Sequence, residues 1–123
     1  MADILIVDDN AAFRETLKRI LLARFPSTHI REAADGNGAI KSTKKQAPDL
    51  IFMDVRLPGE NGFQLTKRIK AAHPEIVIIM ITSYDSSEYQ EAAFASGVDF
   101  FISKKASTAQ DILERVKFII SPK

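Results

Sequence analysis

Carboxylates follow two short apolar runs of this chain, at the points where those runs end. Asp8 and Asp9 come directly after the run at residues 4–7. Asp54 follows a second run, Leu50–Met53. Unit charges ~4 Å apart repel by about 4 kcal/mol at an effective dielectric of 20, so gathered carboxylates need protons or a cation. Oxygen ligands favour a hard ion, and we expect Mg²⁺ that retains several waters.

Hydroxyl and ammonium groups follow two other apolar runs. Thr82 ends the most apolar run of the chain, and Lys104 and Lys105 come after residues 98–102. Beside a metal ion, such donors can hold an anion. Metal, carboxylate, hydroxyl and ammonium are the components of phosphoryl transfer, in which catalysis is mostly positioning and charge neutralisation. Asp54 is then a candidate nucleophile that would form an aspartyl-phosphate.

The elements that must position these groups alternate between strand and helix. The predicted strands are residues 4–7, His29–Ala33, Leu50–Met53, 76–81 and 98–102. Apolar residues at helical spacing predict a helix after each strand, at residues 13–25, 39–46, 63–69, 89–96 and 112–120. This alternation predicts an α/β fold with a doubly wound, five-stranded parallel sheet and five helices on its two faces. The weakly apolar second strand suits an edge, which favours strand order 2-1-3-4-5.

That topology gathers the candidate residues. Ligands of open α/β sheets bind beyond the carboxyl ends of the strands, near the point where the strand order reverses. The first and third strands flank that point, so Asp8, Asp9 and Asp54 should lie together. Simpler roles exist for each residue taken alone: Asp9 or Asn10 could cap the first helix, and Lys104 could be a solvated loop charge.

Composition excludes several classes of protein. The 123 residues suit one domain, and 17 basic against 16 acidic residues leave a net charge of +1, with no reason to expect nucleic-acid binding. The absence of cysteine excludes disulfide scaffolds, thiolate metal sites and thiol catalysis. The longest apolar run is too short for a membrane span, and no basic segment follows Met1 as in a signal peptide. We therefore expect a cytoplasmic protein.

Other functions fit this pattern less well. A flavodoxin-like cofactor binder shares the fold, but Asp8 and Asp9 would repel its phosphate. A P-loop NTPase needs a Gly-rich loop after the first strand, which is absent. A phosphatase with an aspartyl nucleophile would carry an Asp-x-Asp pattern there, whereas these two aspartates are adjacent. An unphosphorylated interaction module would leave the polar residues at one sheet edge unexplained.

The sequence resembles the receiver domain of two-component response regulators over essentially its whole length, and residues 1–123 are interpreted as one such domain. The motifs are ILIVDDN at 4–10, DLIFMDVRLPG at 49–59, Asn-Gly at 61–62, IMITS at 79–83 and GVDFFISK at 97–104. Each motif alone is weak. In this order and at this spacing they are specific to the family.

The resemblance implies a set of roles around one phosphoacceptor. Asp54 would accept a phosphoryl group from a sensor histidine kinase or a phosphotransfer protein. Asp9 and Asp54 would bind Mg²⁺ directly. The backbone carbonyl of Arg56 would complete this set, and Asp8 would act largely through water. The domain would be a signalling phosphoacceptor that promotes only its own phosphorylation and dephosphorylation.

The resemblance also implies a switch. Thr82 and Lys104 would contact the phosphoryl oxygens, and Phe101 matches an aromatic residue that changes rotamer together with the threonine. Phosphorylation would alter the face formed by the fourth helix, fifth strand and fifth helix. That face would control a downstream effector or an attached output domain and would support a phosphorylation-dependent dimer, with no direct contact to nucleic acid or membrane.

The sequence departs from the family pattern at a few positions. Lys105 replaces a proline that follows the lysine in a cis bond, and a cis bond before a non-proline residue costs about 3 kcal/mol. We therefore expect a trans bond or a rearranged loop. Lys105 is also a second candidate for the site lysine, although the seven-residue step from Gly97 favours Lys104. Arg56 and Tyr84 lie two residues past site residues, where their side chains can overhang a phosphoryl group.

Overall fold

A computed structural model describes residues 2–120 of the chain, in which strands and helices alternate strictly. The strands are β1 (Asp3–Val7), β2 (His29–Ala33), β3 (Leu50–Met53), β4 (Val77–Thr82) and β5 (Phe100–Ser103). The helices are α1 (Ala11–Arg24), α2 (Gly36–Lys45), α3 (Gly62–Ala72), α4 (Ser87–Ser96) and α5 (Ala109–Ile120).

The strands form one parallel sheet in the order β2-β1-β3-β4-β5, which confirms the predicted topology. Val7 of β1 lies opposite Met53 of β3. Asp8 and Asp54 are the next residues along each strand, so the register places them side by side. The Asp54 N–H donates to the Val7 carbonyl at 3.1 Å and extends the pairing by one step.

Helices cover both faces of the sheet because alternate strand residues point in opposite directions. On one face Ile4 and Ile6 pack with buried residues of α1 and α5. On the other face Leu5 and Val7 pack with buried residues of α2, α3 and α4. The central strands are consequently buried on both sides, as their continuous apolar sequences predict.

Some element boundaries differ from those predicted. Helix α2 begins at Gly36, three residues before the predicted start, because the Asp35 side chain caps it by accepting the Gly38 N–H at 2.7 Å. The strands β4 and β5 begin one and two residues later than predicted. The Lys104–Lys105 bond is trans, since no cis peptide occurs among residues 2–120.

The helices of the described segment, residues 2–120, are all too short or too polar to cross a bilayer.

Candidate functional site

The candidate residues lie at the carboxyl ends of four strands. Asp8 follows β1 and Asp54 follows β3, and only 1% and 7% of their respective surfaces are exposed. Thr82 is the last residue of β4 and is fully buried. Lys104 follows β5, and its N–H donates to the Thr82 carbonyl at 2.9 Å. Four of the five strands, β1, β3, β4 and β5, thus deliver polar groups to one edge of the sheet.

Three carboxylates form the acidic part of the site. Asp8, Asp9 and Asp54 each offer a carboxylate oxygen, and these oxygens lie within 4.8 Å of one another. Asp9 is exposed whereas the other two are buried. The Asn10 side chain caps α1 by accepting the Phe13 N–H at 3.0 Å, so Asp9 is not needed as the cap. Such oxygen donors fit Mg²⁺, which binds through one or two carboxylates and keeps water ligands.

A lysine completes the charge arrangement. The Lys104 Nζ lies 2.7 Å from Oδ2 of Asp8 and 3.2 Å from Oδ2 of Asp54. Lys105 is exposed, so of the two lysines considered from the sequence it is Lys104 that enters the site. One ammonium against three carboxylates leaves an excess of negative charge. A divalent cation would offset that excess.

Burial raises the pKa of the Asp8 carboxyl above its ordinary value, and the neighbouring charge of Asp54 raises it further. Hydrogen bonds from Lys104 and from the Asn10 N–H act in the opposite direction without cancelling the effect. The charged form of Asp8 is therefore held at a cost in free energy. Perturbed carboxyls of this kind are typical of functional sites.

The local backbone fixes the orientation of Asp54. Its Oδ1 accepts the Val55 N–H at 2.7 Å, which leaves Oδ2 facing the lysine. Helix α3 starts against this turn at Gly62, whose N–H donates to the Val55 carbonyl at 2.7 Å. A Cβ on Gly62 would lie 2.0 Å from the Asp54 carbonyl oxygen, so only glycine permits this approach.

Two loops meet next to the site. The guanidinium of Arg56 lies 4.5 Å from the centre of the Tyr84 ring, and the Tyr84 and Tyr89 rings are 5.5 Å apart. The Tyr84 N–H donates to Oγ1 of Thr82 at 3.2 Å. Phe101 is half-buried and packs against the core beneath α2, α3 and α4. These contacts link the loop after β3, the loop after β4 and the first turn of α4.

Sequence reasoning missed two contributors from α1. The helical spacing of apolar residues predicts only that Phe13 belongs to the apolar face of the first helix, but the centre of its half-buried ring lies 4.0 Å from the Lys104 ammonium in a cation–π contact. The Arg14 side chain donates to the Asp8 carbonyl at 2.5 Å and pairs with Glu32 at 2.9 Å. The helical stripe predicted the position of Phe13 in α1. It gave no information about a contact with a loop ninety residues away along the chain.

Comparison with known proteins agrees with this geometry. A family model described as the response regulator receiver domain matches residues 4–117. The transcriptional regulatory protein LnrK of Bacillus subtilis is 31% identical over 98% of this chain and 54% of its own length. The transcriptional regulatory protein DegU of Brevibacillus brevis is 28% identical over 94% of this chain and 49% of its own. A receiver domain protein from Methanospirillum hungatei superimposes with a TM-score of 0.86 at 29% identity, covering 96% and 92% of the two chains.

The fold and the polar edge define a receiver of two-component signalling. The chain belongs to the response regulator receiver domain family. It spans about half the length of the two curated relatives, which are named as transcriptional regulators.

Proposed function

We propose that the protein accepts a phosphoryl group on Asp54 from a histidine kinase or a phosphotransfer protein and thereby controls an output. The observation that carries the proposal is the Lys104 ammonium between Asp8 and Asp54, 2.7 and 3.2 Å from their carboxylate oxygens. Together with Asp9, these groups would provide a nucleophile, a cation site and a fixed positive charge at the switch point of the sheet, which supports the proposal.

In the proposed step a carboxylate oxygen of Asp54 attacks the phosphorus of a phosphohistidine. A new P–O bond forms as the P–N bond breaks, and the bonding electron pair leaves with the imidazole, which takes a proton from solvent. With acetyl phosphate the leaving group is acetate. The product in each case is an aspartyl-phosphate on the side chain of Asp54. Because chemistry of this type needs mainly alignment and charge neutralisation, the surrounding side chains would act by orienting the reactants and by holding the cation.

The neighbouring residues have distinct proposed roles. Carboxylates of Asp8, Asp9 and Asp54 and the backbone carbonyl of Arg56 would hold Mg²⁺, which when bound supplies charge neutralisation. Lys104 already contacts Asp54 and would donate to a phosphoryl oxygen after transfer. These assignments follow the family pattern and the polarity of the groups present.

Thr82 would carry the signal away from the site. Its hydroxyl would turn toward the phosphoryl group, and Phe101, on the adjacent strand, would change rotamer with it. The output face is formed by α4, β5 and α5, and it carries the exposed rings of Phe94 and Phe118. We propose that this face binds an effector or an output domain, or dimerises, once Asp54 is phosphorylated.

Incubation with acetyl phosphate tests the proposal. With Mg²⁺ we expect intact-mass spectrometry to show one added phosphoryl group, and with EDTA we expect none. Asp9→Asn should take up phosphate far more slowly, because it removes a carboxylate of the cation site without removing the nucleophile. An Asp9→Asn variant that is labelled at the wild-type rate would contradict the metal assignment.

A further inference from the structure

Two loops leave the sheet side by side: one follows Thr82, the last residue of β4, and the other begins with Lys104 after β5. Thr82 lies opposite Ser103 in the sheet, and the Lys104 N–H donates to the Thr82 carbonyl. Within residues 2–120, no backbone hydrogen bond joins the two loops beyond that point. The turn after Lys104 is closed on itself by the Ser107 N–H, which donates to the Ser103 carbonyl at 3.0 Å, so a direct link from this turn to the loop after β4 must come from side chains.

The hydroxyl of Ser103 supplies such a contact. It donates to Oδ2 of Asp85 at 2.5 Å and accepts the N–H groups of Lys105 and Ala106, each at 3.2 Å. One side chain thus joins the loop after β4 to the turn after Lys104. The hydrogen bond from position 105 requires a residue other than proline, because proline has no N–H to donate.

Asp85 is itself held in place. Its carbonyl accepts the side-chain amide of Gln90 in α4 at 3.0 Å. The hydrogen bond from Ser103, and to a lesser degree the charge of Lys105, holds the pKa of the Asp85 carboxyl below its ordinary value. The carboxylate is then ionised at neutral pH. Hydrogen bonds to a charged acceptor are shorter and stronger than those between neutral groups.

We propose that Ser103 and Asp85 are positioning residues, which hold the loop after β5 so that the Lys104 ammonium rests between Asp8 and Asp54. The inference rests on the proposed function and deepens it by naming groups that act through Lys104. A lysine side chain loses much rotamer freedom when its end is fixed. A backbone already fixed on both sides of Lys104 makes the observed placement easier to maintain.

Substitution of Ser103 in the full chain tests the inference. In Ser103→Ala we expect labelling by acetyl phosphate to slow about fivefold, because the hydroxyl and its three hydrogen bonds are lost while the reacting groups themselves remain. Mg²⁺ affinity should stay at its wild-type value, since the carboxylates are untouched. Ser103→Thr retains the hydroxyl and should recover most of the rate. A wild-type rate in Ser103→Ala, or an equal loss of rate and Mg²⁺ affinity, would overturn the assignment.

The partnership with Asp85 is tested by a double-mutant cycle. Asp85→Ala should slow labelling by a similar factor, and the double variant Ser103→Ala/Asp85→Ala should be no slower than either single variant. Effects that multiply to about twenty-fivefold would show that the two residues act independently. Ser107→Ala is the matched control from the same loop, because the Ser107 side chain makes no hydrogen bond within residues 2–120. It should label at the wild-type rate.

The position of Lys104 is read independently of phosphorylation from the NMR signal of its side-chain ammonium. We expect a resolved signal in the wild type that shifts or broadens in Ser103→Ala but not in Ser107→Ala. The ammonium signal could respond as expected while the wild type takes up no phosphoryl group. The positioning role of Ser103 would then be supported, and the proposed phosphorylation of Asp54 would be contradicted. An ammonium signal unchanged by Ser103→Ala would overturn the positioning role.

Discussion

Asp8 is the residue at which the needs of the site conflict most directly with stability. Its carboxyl is 1% exposed, and burial together with Asp54 raises its pKa. A folded-state pKa above the unfolded value means that the folded chain holds the proton more tightly. Stability is consequently lost as the pH rises from the ordinary carboxyl range through the raised pKa of Asp8, and it stays lower at neutral pH.

We predict that Asp8→Asn stabilises the protein at neutral pH without Mg²⁺. The amide keeps an oxygen for the Asn10 N–H and removes a buried charge, and we expect a gain of about 1 kcal/mol in the free energy of unfolding, which is typical when a functional residue is replaced in favour of stability. Urea unfolding measures the effect. The gain should shrink as the pH falls below the pKa of Asp8, where the wild-type carboxyl is neutral.

The metal and an exposed aspartate provide the controls. Added Mg²⁺ should reduce the difference in the free energy of unfolding between Asp8→Asn and the wild type. The ion would bind the folded wild type more tightly than the variant, and a ligand that binds the folded state stabilises it. Asp9→Asn removes an exposed carboxylate and should change stability less than Asp8→Asn. The prediction would be contradicted if Asp8→Asn were less stable than the wild type at neutral pH without Mg²⁺. The ion pair between Asp8 and Lys104 would then stabilise the fold by more than the burial of the Asp8 charge destabilises it.

The side chains of Arg56 and Tyr84 are large and stack beside the site. Their stacking, with the guanidinium 4.5 Å from the ring centre, joins two loops beside the site and would hinder the water that attacks an aspartyl-phosphate in line. We predict that Arg56→Ala/Tyr84→Ala changes the dephosphorylation rate more than it changes Mg²⁺ affinity. Phosphate release and metal titration measure the two quantities. Equal changes in both would count against a steric role.

At the scale of elements, the sequence predicted which segments are strands and helices more accurately than it predicted their ends. Helix α2 shows why. The segment Gly36-Asn37-Gly38 is typical of a loop, yet Gly36 is helical, and Glu60 Oε1 lies 2.7 Å from the position that its Cβ would occupy. The Asp35 cap starts the helix in spite of this propensity, and no pattern within the segment reports the approach of Glu60, a residue of a distant loop, to Gly36.

In the site, too, the sequence predicted some features, whereas others depend on contacts between distant parts of the chain. The strand order predicted that Asp8, Asp9 and Asp54 lie together, because the residues after parallel strands share one edge. The contact of Phe13 with Lys104 depends instead on how α1 packs beside the loop after β5. Hydrophobic periodicity reports which face of a helix is buried, but it does not report which distant side chain that face meets.

The start of α3 lies directly against the turn that carries Asp54. In Gly62→Ala the new methyl would collide with the Asp54 carbonyl oxygen, and we expect a loss of about 3 kcal/mol in the free energy of unfolding, the upper range for overpacking. Labelling of Asp54 should also slow, since the turn that carries it must move.

A glycine with free space supplies the control. Gly59 has a φ of +81° but nothing within 4 Å of its would-be Cβ, so Gly59→Ala should cost only about 1 kcal/mol for the left-handed conformation. Urea unfolding and the labelling rate distinguish the two variants. Equal losses in both would mean that the approach of α3 to Asp54 is not the constraint.

A change at the site would have to alter the face formed by α4, β5 and α5, which lies elsewhere on the molecule. If Thr82 couples them, Thr82→Ala should leave Asp54 reactive while weakening the response of that face. Coupling is usually worth about 1–3 kcal/mol, so the loss should be graded. Amide chemical-shift changes over residues 86–120 on adding beryllofluoride measure it. Changes of wild-type size in Thr82→Ala, with the mimic fully bound, would remove Thr82 from the pathway.

The central claim is that Asp54 is the phosphoacceptor, and chemical mapping of the label tests it most directly. The protein is phosphorylated with acetyl phosphate and Mg²⁺, the acyl phosphate is reduced with borohydride, and the modified peptide is sequenced by mass spectrometry. We predict that the reduced residue is Asp54 and that Asp54→Asn carries no label. A label at Asp8, Asp9 or any other residue in the wild type would contradict the account.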